Sequence, residues 1–271
     1  MLICSMISDL IYKVNVHSPS KTPKTSSWLS WLFVAFVLAI PLLIAGFLAG
    51  VHRMLPGPQP TNAATRKQVE SLPTGHGPVH QNIMTTVFWV GEPADSENDH
   101  ISNVPSAWDG EWEQNFGGFD DPDHRSGYDP AKFTPRENPF YFALPYNDMD
   151  EIGKRRSNGH NCLQYTPNTD DTHSWCKNTW IAVVYGGKTA YAQWQDVGPN
   201  EEYDPDYVFG TVAPKNTFGA KAGLDVSPAV RDYLGLDGDN HTSWSFIPAA
   251  NVPDGPWKKT VTTSLGYQIT E

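Results

Sequence analysis

Two aspartates stand where the predicted regular structure breaks, a position from which a carboxyl group can face a groove. Asp196 follows the strand-like run KTAYAQWQ at residues 188–195 and begins an Asp-Val-Gly-Pro turn. Asp225 precedes a short helix predicted at Pro228–Leu234, for which Ser227 is a good N-cap. A partly buried carboxyl has a raised pKa and can protonate a glycosidic oxygen. Each aspartate also has a structural interpretation, Asp196 as a turn former and Asp225 as a partner of the helix N-terminus.

Further polar and aromatic residues are candidates for completing such a site. Hydrolysis of a glycosidic bond uses two carboxyl groups, whereas a lytic transglycosylase can use one group as acid and then as base. Asp148, in the turn sequence PYND, is a candidate second carboxyl. Trp194, Tyr146 and Tyr207 are predicted stacking surfaces for sugar rings, with Asp206 beside them as a further substrate-binding residue. No Ser/His/Asp arrangement or phosphate-binding loop is present in the sequence, and we predict no cofactor and no metal site.

The composition narrows the class of protein. The chain has 271 residues and a formal net charge of -11, which argues against nucleic acid as a partner. Aromatic residues make up 12% of the chain, and 22 Gly and 23 Pro leave few long helical patterns. This composition favours a loop-rich β protein whose surface can stack on sugars.

A hydrophobic segment without charged residues covers Trp28–Val51. It is long enough to cross a bilayer core of about 30 Å as a helix. Its length, and the absence of a clean cleavage site, favour an uncleaved signal anchor over a removed signal peptide. Residues 1–27 are then a cytoplasmic tail and residues 52–81 a flexible linker rich in Pro, Gly and Thr. We therefore expect a single-pass protein of a bacterial inner membrane, with its C-terminal domain outside the cytoplasm.

Two cysteines, Cys162 and Cys176, flank a loop rich in Asn, Asp and Thr in the part of the chain predicted to be exported. Their spacing is not that of a zinc site, and an oxidising compartment favours a disulfide between them. Closing so short a loop stabilises a fold by about 3 kcal/mol or less.

The rest of the chain is predicted to form one mainly β domain with an irregular arm. Residues 82–138 form an acidic arm that is irregular after Gly91, and their Trp, Phe and Tyr content favours an ordered arm packed on the domain. Ile83–Val90 at its start has the residue types of a strand and is expected to join the globular part. Residues 139–271 contain several strand-like runs, two of which flank Gly186 and Gly187 as in a β-hairpin. Several short strands and one or two short helices predict a small β-barrel.

The order of these features resembles a double-psi β-barrel. The motifs Asp196-Val-Gly-Pro199 and Leu224-Asp-Val-Ser-Pro-Ala-Val230 carry the resemblance, which extends over residues 140–257. Rare lipoprotein A-like domains have a similar Asp-x-Gly-Pro turn, and expansins and family-45 endoglucanases have a similar Asp before a helix. Membrane-bound lytic transglycosylase A looks similar around its barrel, with Asp206 in DYVFG as the matching second aspartate. The insert at residues 200–221 separates the two motifs further than in compact members.

These similarities imply a membrane-anchored cell-envelope protein that binds or cleaves glycan, with peptidoglycan as the expected substrate. In the enzymatic form, a lytic transglycosylase or glycosidase, Asp196 or Asp225 is the acid/base. The alternative is a non-catalytic glycan-binding or scaffold module. A third alternative is a protein-binding domain of an envelope complex, in which the acidic arm contacts the partner.

Overall fold

The computed structural model describes residues 75–156, 162, 171–238 and 240–266. The predicted tail, the hydrophobic segment Trp28–Val51 and most of the predicted linker lie outside these residues. Within the described ranges, no helix is both long enough and apolar enough to span a bilayer.

The described chain is mainly β, with a few short helices. Its strands are β1 His76–Val87, β2 Arg125–Ser126, β3 Asp129–Pro130, β4 Tyr141–Leu144, β5 Trp180–Tyr185, β6 Lys188–Val197, β7 Leu224–Val226 and β8 Asn240–Ile247. Its helices are α1 Trp112–Phe116, α2 Pro205–Val208 and α3 Pro228–Leu234, and 3-10 turns follow at Ala249–Asn251 and Pro256–Lys258.

Six of these strands close into a barrel in the order β1-β7-β4-β6-β5-β8. The barrel is mixed, because β1 pairs with β7 and β4 with β6 in parallel, while the other pairs are antiparallel. The predicted mainly β barrel is therefore confirmed, and its mixed order is compatible with a double-psi barrel. Its interior is filled by buried side chains, among them Phe142, Trp194, Val226, Trp244 and Phe246.

Local sequence signals account for two of the connections. Gly186 and Gly187 have φ values of 58° and 82°, and Tyr185 pairs with Lys188 around them, which confirms the predicted hairpin. Helix α3 begins as predicted, with the Ser227 hydroxyl accepting a hydrogen bond from the Val230 amide at 3.3 Å.

The barrel begins earlier in the chain than residue 139, the start predicted for the barrel domain. Strand β1 lies in the segments predicted as linker and arm, yet it pairs with both β7 and β8. Its sequence HGPVHQNIMTTV does not alternate regularly, and its pairing with β8 shifts register between His76 and Ile83. Backbone pairing, more than side-chain periodicity, makes this segment a strand.

The arm, residues 88–138 in the structure, packs on the outer face of β4. A small apolar cluster joins them, consisting of Phe88, Val90, Trp112, Phe116, Tyr141 and Ala143. Tyr141 also donates a hydrogen bond to Asp120 Oδ2 at 2.7 Å and accepts one from the Val90 amide at 3.0 Å. The acidic arm is therefore fixed to the barrel by packing and by buried polar contacts of Tyr141. Within the arm, Arg125 pairs with Asp120 and compensates its charge.

The predicted disulfide between Cys162 and Cys176 is confirmed, with their Cα atoms 5.1 Å apart. Both residues are buried, and the bond joins two positions that are separated by 14 residues in the sequence. Such a cross-link stabilises a fold mainly by restricting the unfolded chain.

Replacing both cysteines by serine is expected to lower the free energy of unfolding by about 3 kcal/mol. Urea unfolding of the oxidised wild type and of the double variant measures this difference. Reduction of the wild type with dithiothreitol serves as a control and should remove most of the difference. Equal stability of the oxidised wild type and the variant contradicts the prediction.

Candidate functional site

Four residues form one row across the outer face of the barrel. Thr86 of β1 pairs in register with Asp225 of β7, Asp225 with Ala143 of β4, and Ala143 with Asp196 of β6. Residues that pair in register point to the same face of a sheet, and neighbouring strands lie about 4.8 Å apart. The two aspartates therefore flank Ala143, with Cα atoms about 10 Å apart by that spacing.

An irregularity in β6 directs Asp196 outwards. Trp194 pairs with Phe142 and Asp196 with Ala143, so two steps along β6 match one step along β4. Trp194 and Asp196 would share a face in a regular strand. The extra residue reverses the alternation, so Trp194 packs inside the barrel and Asp196 faces out, which is a common effect of a β-bulge beside a functional site.

Asp196 is a nearly buried carboxyl that makes no ion pair within the described part of the chain. Its side chain is 5% exposed, and Oδ1 accepts hydrogen bonds from the amides of Val197 at 2.8 Å and Ala107 at 2.7 Å. Oδ2 receives no hydrogen bond from the described residues. Burial raises the pKa of Asp196 to about 7, and the charge of Asp225 acts in the same direction. The two amides and the charge of Lys177 oppose that shift.

Asp225 lies on β7 and does not cap the following helix, because Ser227 occupies that position. The Thr86 hydroxyl donates a hydrogen bond to Asp225 Oδ1. Oδ2 lies beside Gly198, where a Cβ atom would be 3.8 Å from it. Burial raises the pKa of Asp225 to about 6, against the effect of the Thr86 hydroxyl. The structural interpretation as a helix cap is thus excluded for this aspartate.

A third carboxyl, Glu92, comes from the arm and was not predicted from the sequence. It is 8% exposed, and its Oε2 accepts a hydrogen bond from Asn103 Nδ2 at 2.7 Å. Burial raises the pKa of Glu92 to about 7, and the charge of Asp225 contributes. Local sequence gives no signal for this residue, because its position depends on how the arm folds over the barrel.

The three carboxyls line one cleft of about 380 Å³ between the barrel and the arm. The wall of this cleft also includes Trp89 and Phe218, both partly exposed aromatic residues. Its volume is within the range of small-molecule sites. The aromatic rings offer apolar faces and several asparagines offer amide groups, a combination that suits a polar ligand with an apolar side, such as a sugar.

The residues predicted to stack on sugars do not line this cleft. Trp194, Tyr146 and Tyr207 are fully buried in the barrel core, so none of them presents a ring face to a ligand. Trp194 instead donates from Nε1 to the Asp196 carbonyl at 2.7 Å and fixes the end of β6. The aromatic rings that are partly exposed in the cleft belong to Trp89 and Phe218, which were not predicted from the sequence.

Asp148 and Asp206 also lie away from the cleft. Asp148 is fully buried beside the disulfide, and its Oδ2 accepts a hydrogen bond from the Trp175 amide at 2.7 Å. Asp206 is exposed in the first turn of α2. Neither is placed to share a ligand with Asp196 and Asp225.

The three cleft carboxyls do not gather their oxygens tightly enough to form a metal-binding group. Among the described residues, the only cluster with ligand atoms within 4.8 Å of one another is Asp148, Cys162 and Cys176. Its sulfur atoms are joined in the disulfide and are not available as thiolate ligands. The raised pKa values of the three cleft carboxyls mean that these groups can exchange protons near neutral pH.

The fold is a closed mixed β-barrel with an ordered arm, and a cleft lined by three carboxyl groups lies between them. No protein-family model matches the chain, and a search of curated proteins finds no relative.

The raised carboxyl pKa values have a consequence for stability. The folded-state pKa of Asp196, about 7, lies above the unfolded value of 3.8, so the folded protein binds the extra proton between these values. The free energy of unfolding then falls as the pH rises through that window. We expect Asp196→Asn to raise the free energy of unfolding by about 2–4 kcal/mol at pH 8, and by much less at pH 4.

Urea unfolding at pH 4 and pH 8 tests this expectation. Asp254→Asn is the control, because the Asp254 side chain is fully exposed and its replacement should leave the stability difference between the two pH values unchanged. A change in stability for Asp196→Asn that is the same at both pH values argues against a raised pKa.

Proposed function

We propose that this chain is a membrane-anchored cell-envelope protein whose double-psi barrel binds and cleaves glycan, with peptidoglycan as the substrate. The observation that carries the proposal is the row in which Asp196 and Asp225 flank Ala143 at the edge of the cleft. The resemblance of the motifs Asp196–Pro199 and Leu224–Val230 to those of rare lipoprotein A-like domains supports it, because each motif contributes one aspartate to this row. The resemblance to membrane-bound lytic transglycosylase A supports only Asp196, since the second aspartate of that match, Asp206, lies away from the cleft.

Asp196 is the general acid of the proposed reaction. Two amides hold Oδ1, which leaves Oδ2 as the position for the proton that is donated to the glycosidic oxygen. Its raised pKa keeps a useful fraction protonated near neutral pH. Asp225 has the lower pKa of the pair and is more fully ionised, so its charge stabilises the positive charge that develops at the anomeric carbon.

The location of the protein is also part of the proposal. The uncharged segment Trp28–Val51 has the length and composition of a membrane anchor. The disulfide is compatible with an oxidising compartment outside the cytoplasm. An anchored domain that faces the cell wall would meet peptidoglycan, a glycan of high local concentration.

A non-catalytic glycan-binding module is the second candidate function. The hydrogen bond from the Ala107 amide to Asp196 favours it, since this bond joins the arm to the barrel whether or not chemistry occurs. Asp196 forms no ion pair with any described residue, and this favours the enzyme, because a buried unpaired carboxyl destabilises the fold and such groups concentrate at functional sites. The two candidates differ in whether soluble products are released.

Incubation of the full chain with purified peptidoglycan sacculi is expected to release soluble muropeptides, which liquid chromatography with mass spectrometry detects. Asp196→Asn should lower the rate by about 10²- to 10⁴-fold because it removes the proton donor. Asp254→Asn should keep the wild-type rate. If the wild type releases no product but still sediments with the sacculi, the protein is a binding module.

A further inference from the structure

We propose that Glu92 is a third catalytic residue, the base that activates water, and that the cleft therefore hydrolyses its glycan. This inference rests on the function proposed above. The arm then supplies the base, which neither barrel motif provides. With a base that activates water, the expected reaction is hydrolysis and not internal attack by a hydroxyl group of the substrate.

The arm holds Glu92 in a fixed position. Asn103 donates from Nδ2 to Glu92 Oε2 at 2.7 Å, and its amide donates to the Glu92 carbonyl at 2.9 Å. The Gly91 amide donates to the Asn103 carbonyl at 2.8 Å, so two adjacent residues are tied to one asparagine. Gly91 itself has a φ of 83°, and a Cβ atom there would lie 2.8 Å from the Phe119 ring, so the tight turn needs glycine.

The side chain of Glu92 has one hydrogen-bond partner, Asn103, and no cation to compensate its charge. It is 8% exposed, makes no ion pair with any described residue, and is repelled by the like charge of Asp225. A carboxyl in such surroundings destabilises the fold, because burial disfavours its charge and no cation compensates. Groups of this kind concentrate at functional sites.

The three carboxyls reach the cleft from two different sides. Asp196 and Asp225 stand on the barrel sheet, whereas Glu92 belongs to the arm that covers this sheet. A sugar ring held on the sheet has both aspartates on one side. Hydrolysis with inversion needs an acid and a base on opposite faces of the ring, with water between the base and the anomeric carbon. Glu92 is the cleft carboxyl on that opposite side.

The reaction is balanced with these groups alone. Asp196 gives a proton to the glycosidic oxygen, and the bond between this oxygen and the anomeric carbon breaks. A water oxygen bonds to the same carbon while Glu92 takes its proton. Exchange with solvent returns the proton to Asp196. The net change is the addition of one water molecule, with a new reducing end as the product.

The test uses the full chain, purified sacculi and water enriched in ¹⁸O. The wild type is expected to release fragments that carry one ¹⁸O at the new reducing end, detected by mass spectrometry. Glu92→Gln should lower the rate by about 10²- to 10⁴-fold, while keeping an acceptor oxygen for Asn103. Added azide, a nucleophile that needs no base, should restore turnover of this variant and give a glycosyl azide. Glu111→Gln is the matched control, because it removes the same negative charge from an exposed position in the arm, and it should keep the wild-type rate.

Three results overturn the inference. If the wild type releases only 1,6-anhydro sugars without ¹⁸O, the substrate attacks itself internally. The proposed glycan cleavage is then correct, but Glu92 has no water to activate. An active Glu92→Gln variant, with Asp196→Asn inactive, also removes Glu92 from the reaction and keeps the proposed function. No release of product by the wild type defeats the proposed cleavage together with this inference.

Discussion

The pairing of β4 with β6 and β7 around Ala143 is the constraint on which the site depends. Strand β4 has only four residues and is buried on both faces, with Phe142 in the barrel core and Tyr141 under the arm. The small side chain of Ala143 leaves space between the two neighbouring strands. Asp196 and Asp225 border that space because each is the in-register partner of the same alanine. A larger residue at this position would fill the gap between the carboxyls.

The arm turns this sheet face into a cleft. Tyr141 organises the contact, since its ring packs among arm residues while its hydroxyl bonds both the Val90 amide and Asp120. The same strand therefore aligns the aspartates and anchors the covering segment. The Ala107 amide of the arm and the Val197 amide of β6 both donate to Asp196 Oδ1, so this carboxyl is oriented by the arm as well as by its own strand. The arm therefore both covers and orients the carboxyl.

Some of this could be predicted from the sequence, and the limits have physical causes. Asp196 and Asp225 were identified as candidate site residues because the signals for a turn and for the start of a helix are local and can be recognised in a short stretch of sequence. Trp194 lies inside the barrel, on the opposite face from Asp196, because a β-bulge that no periodicity reveals reverses the alternation of β6. Glu92 was not predicted because its place in the cleft depends on how the arm folds over the barrel. The strand predicted at Ile83–Val90 covers only the end of β1, because the residues before Ile83 are defined as a strand by pairing and not by alternation.

Opposing effects set the pKa of Asp196 close to neutral pH. Burial and the charge of Asp225 raise it, while two amides and the charge of Lys177 lower it. Lys177 is itself buried, which lowers its own pKa, and it donates from Nζ to Gln195 Oε1 at 2.6 Å and forms no ion pair with Asp196. An ion pair favours the charged form of a carboxyl, whereas burial without a cation favours its protonated form. Because both kinds of effect act on Asp196, both of its protonation states are accessible near pH 7, which is the property that the proposed general acid requires.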